Sequence, residues 1–595
     1  MDGGKGGTGD RENTVLRDNA RAGAERAGSG YGLSRQDWKY CGILTGVTVF
    51  AALVFFAAAF LPPQAVWITD NGGKWMILRQ FAEKGTIFFH PEVPENFPLG
   101  GFHFQLLPDG RASSFHPPWL SVLASLPYRW AGDFGGVWIP MFCGAALAGL
   151  LCRFRVNKVW LFAAVAATPL FFYSLLLWEM VPAALAVTLA AWLFSRRRFT
   201  VAGMIFGLGV WMREELYLLG ACLLVVLLCR CKWREIWRFG LGAASPVLAL
   251  WLANVLLFGH AAGLHGATYF ANNRPEAITA AGWFREVVFN AYQHIVRFET
   301  LPKYSGIIAA AAILPALAAG LAPEYRAWKP FKAAAAAIFT GAAVIFAAGL
   351  WKREDYLFVS AETFGLFLSV PPLLGMMLHI RALCRDRRDA VRTGAAVMVL
   401  YTVSVPFLLN PHDIGLTWGA RHFLVVLPLM LVLSVHAFSR GGWSRSEGAK
   451  AAAILLCAAG ISMQIYALRA LVKVASDAEY FQNEILALPQ KTVVSDLFFL
   501  PEMTPRVPFA KQQLEVTGSA RFAAALDHLE RNGCRSFILL LSPDYRRMDN
   551  RLLAELLRRY PVQAPPAEFT IGNSLKIYLA LCALPPNADA GPFLR

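Results

Sequence analysis

The stretch AAAAAIFTGAAVIFAAGL, residues 333–350, indicates which class of structure this chain adopts. Its eighteen residues contain no charged side chain, and lysines stand close on both sides, at Lys332 and Lys352. A run of this length crosses the roughly 30 Å hydrocarbon core of a bilayer when it is helical. Only helices and closed barrels satisfy their own backbone hydrogen bonds in lipid, and the alternating ten-residue pattern of a barrel is missing here. The stretch therefore predicts a transmembrane helix.

Similar runs recur along the chain. Of its 595 residues 56% are hydrophobic and 16% are charged, and the mean hydropathy is +0.44. Soluble cores do not bury that much apolar surface. We therefore predict an α-helical polytopic membrane protein with about thirteen transmembrane helices. The predicted spans are 40–61, 135–152, 159–177, 180–194, 200–212, 216–229, 239–258, 304–322, 333–350, 356–379, 392–409, 422–438 and 450–471.

The basic residues predict the orientation of these helices, because short loops rich in Lys and Arg stay in the cytoplasm. With the N-terminus inside, the inner loops become basic segments such as 153–158, 195–198 and 230–234. Residues 117–131 are too short to span and are expected on or in the outer surface. We predict a multi-pass protein of the plasma (inner) membrane. Its net charge of +16 follows from these loops, so no nucleic-acid partner is expected.

Three domains follow from this organisation. Residues 1–38 are a polar, Gly-rich tail, predicted to be cytoplasmic and disordered, and residues 39–472 form the membrane domain. Residues 473–595 are predicted to form a small extracytoplasmic α/β domain, because short apolar runs there alternate with amphipathic stretches. The predicted strands are 492–496, 537–541 and 575–579, and the predicted helices are 521–531 and 549–560.

Cysteine and metal patterns are weak. Cys534 and Cys582 both fall in the C-terminal domain, where they either pair in an oxidising compartment or stay as two separate thiols. The sequence has neither a CxxC motif nor a Cys/His cluster with the spacing of a zinc site.

The first outer loop carries a candidate catalytic residue. Asp70 opens a predicted surface helix that ends at Gly85, with Trp75 and Leu78 on its apolar side and Lys74 outside it. Two interpretations remain open: Asp70 either works in a reaction or caps the N-terminus of this helix, a position that Asp favours.

Other ionisable residues lie at the outer ends of predicted spans. They are Glu179, Arg213 in the segment Arg213-Glu214-Glu215, and the neighbouring pair Arg421 and His422. Charges embedded at such places are costly and are candidates for function. The alternative is a helix-end ion pair or a side chain that extends to the membrane surface.

The order of these features resembles the GT-C superfamily of membrane glycosyltransferases, especially the branch with aminoarabinose transferases and protein mannosyltransferases. Asp70 follows the first span, His116 precedes Pro117 in a juxtamembrane helix, and Glu179 follows the aromatic stretch Pro169-Leu-Phe-Phe-Tyr-Ser174. Gly419-Ala-Arg421 is similar to the family's late Gly-x-Arg. One branch has Lys where this chain has His116. The Trp-Trp-Asp signature of oligosaccharyltransferases is absent.

The resemblance implies an inverting transfer of a sugar from a polyprenyl-phosphate donor to a glycan, lipid or protein acceptor outside the cytoplasm. Asp70 and Glu179 would then be catalytic, with Asp70 as the base for the acceptor hydroxyl. Arg421, with Arg213, Lys74 or His116, would hold the substrate phosphate, and His422 would be a further substrate-binding residue. Some family members use a divalent metal, although no ligand cluster in the sequence requires one.

A second class of function stays open. A transporter or flippase of lipid-linked sugars would also be polytopic and would also bury charges, but it should show internal repeats and helices broken by Gly or Pro in both halves. We find no such duplication in the sequence. We also expect no catalytic group in the C-terminal domain, whose charges at Asp544, Arg546 and Arg547 read as a solvated turn.

Overall fold

The computed structural model describes residues 48–90, 104–266, 280–297, 304–352, 365–408, 419–440, 446–543 and 548–584, apart from single residues and pairs inside some of these ranges. The predicted tail at 1–38 and the charged turn at 544–547 lie outside the described residues. So do much of the first predicted span and the first part of the span predicted at 356–379.

The N-terminal half is built from short helices and one small hairpin. Helix α1 (Thr69–Lys84) leads to strands β1 (Phe104–Leu106) and β2 (Ala112–Ser114), which pair antiparallel. The helices that follow are α2 (Trp119–Gly136), α3 (Trp138–Leu151), α4 (Lys158–Ala166), α5 (Leu170–Ser174), α6 (Met180–Ser195), α7 (Phe199–Val210), α8 (Glu215–Cys229) and α9 (Trp233–Phe258).

The second half of the membrane domain also consists mainly of α-helices. A π-helical turn (Tyr292–Val296) follows α10, and the 3₁₀ turn Arg421–Phe423 precedes α17. Its α-helices are α10 (Ala280–Ala291), α11 (Ser305–Leu321), α12 (Lys329–Trp351), α13 (Leu366–Ser369), α14 (Leu374–Leu378), α15 (Ile380–Cys384), α16 (Asp389–Leu408), α17 (Leu427–Arg440) and α18 (Glu447–Ala487).

Four helices of the described chain are long and apolar enough to cross a bilayer: α9, α12, α16 and α18. The bent pair α2 and α3, whose axes differ by 80°, adds a fifth if it is one broken span. Other predicted spans contain apolar helices of 10–17 residues, including α6, α7, α8, α11 and α17. The polytopic helical class is thus confirmed, whereas the number of thirteen spans stays a prediction.

Proline explains in part why some of these helices are shorter than the predicted spans. The run predicted at 159–177 is divided into α4 and α5 around Pro169, and the run at 356–379 is broken at Pro371 and Pro372, where a 3₁₀ turn intervenes. A proline lacks the backbone N–H of a regular helix and clashes with the preceding turn. Apolar composition alone therefore overstated the continuity of these helices.

The C-terminal α/β domain is confirmed. Its strands form a five-stranded sheet in the order β4-β3-β5-β7-β6, with β3 parallel to β4 and β5, and with β7 antiparallel to β5 and β6. The elements are β3 (Thr492–Ser495), α19 (Leu500–Met503), α20 (Val507–Ala510), β4 (Gln512–Glu515), α21 (Ser519–Arg531), β5 (Ser536–Leu541), α22 (Asn550–Arg559), β6 (Ala567–Ile571) and β7 (Leu575–Ala583). The sequence predicted all of these except β4, β6 and the two short helices. Cys534 and Cys582 are both free thiols.

Helix α18 joins the two parts of the molecule. It has 41 residues, and at 1.5 Å per residue it is about 62 Å long, roughly twice the thickness of a hydrocarbon core. The helix continues past the predicted domain boundary at residue 472 as far as Ala487. It is therefore longer than a bilayer crossing requires, and its C-terminal end leads directly into the sheet.

The C-terminal domain packs on α1 through α19. A Cβ atom placed on Gly72 would lie 1.6 Å from the carbonyl oxygen of Glu502, so the two backbones touch where only glycine fits. Helix α2 packs along α1 as well, and the Ser121 hydroxyl donates to the Lys74 carbonyl at 3.0 Å. Asp70 consequently lies where the helical part and the C-terminal domain meet.

Candidate functional site

Asp70 lies in the first turn of α1, and 7% of its surface is exposed. Because the helix begins at Thr69, Asp70 does not occupy the capping position ahead of it. Its Oδ2 atom lies 3.3 Å from Nη1 of Arg421, and its Oδ1 atom lies 4.0 Å from Nε2 of His116. The local bond to the chain ahead of the helix comes instead from Asn71, whose side chain accepts from the Trp67 N–H at 2.9 Å.

Arg421 reaches Asp70 from a position 351 residues later in the chain. It stands at the start of the 3₁₀ turn Arg421–Phe423, two residues after Gly419, whose φ of +75° is a conformation that suits glycine. A side chain at 419 would also meet Pro169 at 2.8 Å. The family-like Gly-x-Arg segment thus has a physical basis: glycine makes the turn that directs Arg421 to Asp70.

Lys74 is buried, contrary to the sequence prediction that it lies outside the helix. Only 1% of its surface is exposed, and its Nζ atom lies 3.4 Å from Oε2 of Glu179 and 3.4 Å from the carbonyl oxygen of Asp70. The prediction was wrong because it placed water on that side of α1, where the structure instead has the carboxylate of Glu179.

Glu179 lies between two cations. Besides Lys74 it contacts Arg213, with 2.8 Å between Oε1 and Nη1. Arg213 also forms a two-bonded pair with Glu215, in which Nε donates to Oε2 at 2.8 Å. All four side chains are nearly or fully buried. Buried charges are tolerated only when they are paired, and each of these has at least one partner of opposite sign.

His422 connects the Glu215 carboxylate to Arg421. Its Nδ1 atom is 3.0 Å from the Glu215 carboxylate, and its Nε2 atom accepts a bond from Nε of Arg421 at 3.3 Å. The Tyr401 hydroxyl donates to the His422 carbonyl at 2.8 Å and fixes the backbone there. Contacts therefore run in a ring from Asp70 through Arg421, His422, Glu215, Arg213, Glu179 and Lys74 back to the Asp70 backbone.

The structure brings together all seven residues that the sequence singled out. We call this group, together with Glu215, the ionic ring; it contains Asp70, Lys74, His116, Glu179, Arg213, Glu215, Arg421 and His422. Three carboxylates face three permanently charged cations within it. Such a group is preorganised, since its dipoles and charges are already oriented before a ligand arrives.

Three residues in or near the ionic ring were not predicted from the sequence to be site residues. Glu215 was noticed only as part of a charged segment. His294 lies in the π-helical turn, with its ring centroid 5.2 Å from that of His422. Burial, then His422 and Arg421, lower the pKa of His294 to about 3, so its imidazole is neutral at neutral pH. A lone His in a long outer loop gives no signal in the sequence that it belongs here.

Glu502 is the third such residue, and it comes from the C-terminal domain. It is 1% exposed, and neither carboxyl oxygen has a hydrogen-bond partner among the described residues. Burial raises the pKa of Glu502 well above its ordinary value of 4.5, and the carboxylates of Asp70 and Glu515 raise it further. The C-terminal domain thus brings an ionisable group close to the ring. Its signal in the sequence is a single Glu within the apolar stretch Phe498-Phe-Leu-Pro-Glu502-Met.

A small cavity adjoins His116. Its lining includes Trp119 and Trp211, whose ring centroids are 4.7 Å apart, together with Glu214 and Asn254. Aromatic faces and polar side chains thus lie side by side next to His116.

The donor set of the described residues does not suit a metal ion. No three His, Cys, Asp or Glu side chains in that part of the chain are grouped to hold one. The carboxylates of the ionic ring are occupied by Arg and Lys instead. We therefore derive no chemical step through a metal.

No protein-family model matches this chain, and no curated protein matches it. Two crystal structures of ArnT from Cupriavidus metallidurans are similar to it. The one bound to undecaprenyl phosphate is 12% identical, with a TM-score of 0.40, and the apo structure is 13% identical, with a TM-score of 0.39. Each match covers 90% of this chain and 97% of the other. Likeness at this level assigns no activity, substrate or residue role to the present chain.

Proposed function

We propose that this protein is an inverting membrane glycosyltransferase that moves a sugar from a polyprenyl-phosphate donor to a glycan, lipid or protein acceptor. The observation that carries the proposal is the pairing of Asp70 with Arg421, 3.3 Å apart and buried at the meeting point of the two domains. This pairing supports the proposal, because a carboxylate that can act as a base lies beside a guanidinium that can bind phosphate. The sequence resemblance to the GT-C superfamily supports the same reaction class.

The reaction needs one base and one set of cations. The acceptor oxygen forms a bond to the anomeric carbon of the sugar while the bond from that carbon to the phosphate oxygen breaks. The acceptor proton passes to the Asp70 carboxylate, and the phosphate leaves with the electron pair. A phosphate is a good leaving group, so no nucleotide site is required, and the protein contributes mainly positioning and charge stabilisation.

Arg421 is the best placed phosphate ligand. Its guanidinium presents several donors in a plane that matches phosphate oxygens. His116, 4.0 Å from Asp70 on the opposite oxygen, stands close to the same point. When phosphate binds, it competes with Asp70 for Arg421 and so frees the carboxylate to accept a proton.

The remaining members of the ionic ring act through their neighbours rather than by direct contact with the reacting atoms. Arg213 is enclosed by Glu179 and Glu215, and Lys74 is enclosed by Glu179 and the Asp70 carbonyl. We assign to Glu179 the task of holding these two cations rather than that of a base. The positive charges of Arg213 and Lys74 stabilise the negative charge of the phosphate. His422 connects Glu215 to Arg421 and so fixes the orientation of the Arg421 guanidinium.

The decisive experiment replaces Asp70 by Asn and measures transfer in membranes with radiolabelled polyprenyl-phosphate sugars, separated by thin-layer chromatography. The change keeps size and hydrogen bonding but removes the base, so we expect turnover to fall by about 10² to 10⁴-fold. Asp109→Asn is the matched control, because Asp109 is exposed and its partner among the described residues is the nearby Arg111.

The same assay separates a transferase from a flippase. A transferase releases polyprenyl phosphate and labels the acceptor, whereas a flippase leaves the sugar–phosphate bond intact. If the wild-type protein moves intact donor across vesicles without cleaving it, the proposed function is wrong. If Asp70→Asn transfers sugar at the wild-type rate with equal amounts of inserted protein, Asp70 is not the base.

A further inference from the structure

A second polar cavity lies well away from the ionic ring. Its volume is about 350 Å³. It lies between the start of α4 and the end of α17, and its lining includes Arg155, Asn157, Trp160, His436, Phe438 and Ser439. None of these residues takes part in the contacts of the ionic ring.

The position along α17 shows how far apart the two sites are. Arg421 and His422 stand just before this helix, which begins at Leu427, whereas Ser439 lies in its last turn. At 1.5 Å per residue, the twelve steps from Leu427 to Ser439 cover about 18 Å. The cavity is thus at the opposite end of the helix from the ionic ring, on the side that the sequence predicts to be cytoplasmic.

His436, which lines this cavity, belongs to a charged cluster behind it. Nε2 of His436 lies 3.3 Å from the Asp386 carboxylate, and Arg388 contacts both side chains, with 3.3 Å between its Nε atom and Asp386. Asp386 and His436 are buried. Arg155, at the rim, is exposed and has no ion pair among the described residues. Within the described part of the chain, the lining of the cavity contains Arg155 and no carboxylate, and the cluster behind His436 pairs its one carboxylate with Arg388, so the cavity is positive.

An apolar crevice adjoins the polar cavity. Trp160 and Phe438, whose ring centroids are 5.8 Å apart, line both spaces. The crevice continues between α4, α14, α17 and α18, with Ala164, Leu374 and Leu456 among its walls. Ser434 also lines it, but its hydroxyl already donates to the Pro372 carbonyl at 2.5 Å and accepts from the Met376 N–H at 3.1 Å. The crevice therefore presents an almost wholly apolar surface.

We infer that the two spaces together form a binding site for an anionic diacyl phospholipid, with its phosphate near Arg155 and part of one acyl chain in the crevice. A positive cavity at a helix end suits an anionic head group, and basic pockets between membrane helices are known to bind such lipids. The apolar crevice suits a hydrocarbon chain, which a soluble phosphate lacks. This site is separate from the proposed transfer reaction, and its test needs no enzymatic activity.

The test uses the full-length protein in a neutral detergent and native mass spectrometry with phosphatidylglycerol and phosphatidylcholine of identical chains. We expect phosphatidylglycerol to bind more tightly, and Arg155→Ala to weaken its binding about fivefold, because a basic residue at a lipid surface contributes about 1 kcal/mol. Arg234→Ala is the matched control, since Arg234 is an exposed arginine of another predicted inner loop and does not line the cavity. The Arg234→Ala variant should bind phosphatidylglycerol as tightly as the wild type does.

A second variant tests the apolar half. Ala453 lines the crevice, and Ala453→Phe should fill it and weaken both lipids while leaving the melting temperature of the lipid-free protein nearly unchanged. Glycerol phosphate, which has no chains, should not bind. Equal binding of the two lipids, equal loss in Arg155→Ala and Arg234→Ala, saturation by glycerol phosphate, or a preference for polyprenyl phosphate over phosphatidylglycerol would each overturn the assignment.

Discussion

Arg421 has two tasks at the scale of single residues: it pairs with Asp70, and it meets His422 through its Nε atom. Both depend on the planar fork of the guanidinium. A lysine at this position keeps the charge but offers only a compact ammonium at the end of a flexible chain. A comparison of arginine with lysine at position 421 therefore separates the effect of side-chain geometry from the effect of charge.

We predict that Arg421→Lys weakens use of the lipid-phosphate donor more than it weakens folding. Loss of a charged hydrogen bond costs about 1.5 to 3 kcal/mol, so the KM for the donor should rise roughly tenfold to a hundredfold. Donor titration in the transfer assay measures this, beside a thermal melt of the same preparation. An unchanged donor KM in a well-folded variant would remove Arg421 from the phosphate site.

The Glu502 carboxyl predicts a pH dependence of stability. Its pKa is raised in the folded protein above its ordinary value of 4.5, so between these two pKa values the unfolded chain has released a proton that the folded chain keeps. Stability must therefore fall as the pH rises above 4.5. Glu502→Gln keeps the shape and removes the titration.

We accordingly expect Glu502→Gln to raise the melting temperature at pH 7.5, by an amount equivalent to about 1.4 kcal/mol for each pH unit above 4.5 over which the folded protein keeps the Glu502 proton. The advantage should vanish at pH 4, where Glu502 is protonated in both states. Melting curves at the two pH values, with Glu568→Gln on exposed β6 as the control, measure the difference. A gain that is equal at both pH values would show that titration is not its cause.

At the scale of elements, the contact between α1 and α19 holds the C-terminal domain against the site. Two backbones meet at Gly72, and the nearest atoms to an added Cβ are the carbonyl oxygen and carbon of Glu502, at 1.6 and 2.5 Å. Backbone atoms cannot rotate away as a side chain does. The fit between these elements therefore depends on the absence of one methyl group.

We predict that Gly72→Ala separates α19 from α1 and destabilises the protein by about 1 to 3 kcal/mol, the usual cost of overpacking. Limited proteolysis should cut the C-terminal domain faster, and transfer activity should fall with it. Gly341→Ala provides the control: Gly341 lies within α12, and an added Cβ there meets no atom within 4 Å. Equal proteolysis of the two variants would show that the contact does not hold the domain.

At the scale of the whole molecule, the same contact constrains the topology. Since α19 touches α1, the C-terminal domain and Asp70 must lie on one side of the bilayer. Helix α18, at about 62 Å, is long enough to cross the membrane and still carry the sheet beyond it. This agrees with the predicted orientation, in which both regions are outside the cytoplasm.

We predict that alkaline phosphatase fused after Arg595 is active and that green fluorescent protein fused there is dark, because the first needs the outer compartment and the second fails to fold when exported unfolded. Fusions within the predicted inner loop at 439–450 should give the reverse result. A fluorescent C-terminal fusion without phosphatase activity would overturn the predicted topology.

The sequence by itself determined what depends on local pattern. The apolar helices of the membrane domain, the strands β3, β5 and β7, and the identity of the charged side chains at helix ends could all be predicted, since hydrophobic periodicity and the cost of a charge near lipid act within a short segment. Only the tertiary structure decided that Lys74 turns inward to Glu179, that α18 passes residue 472, and that Glu215, His294 and Glu502 join the site. Each of these depends on a partner distant in the chain, as Asp70 and Arg421 are 351 residues apart, and a contact of that kind leaves no periodic trace in either segment.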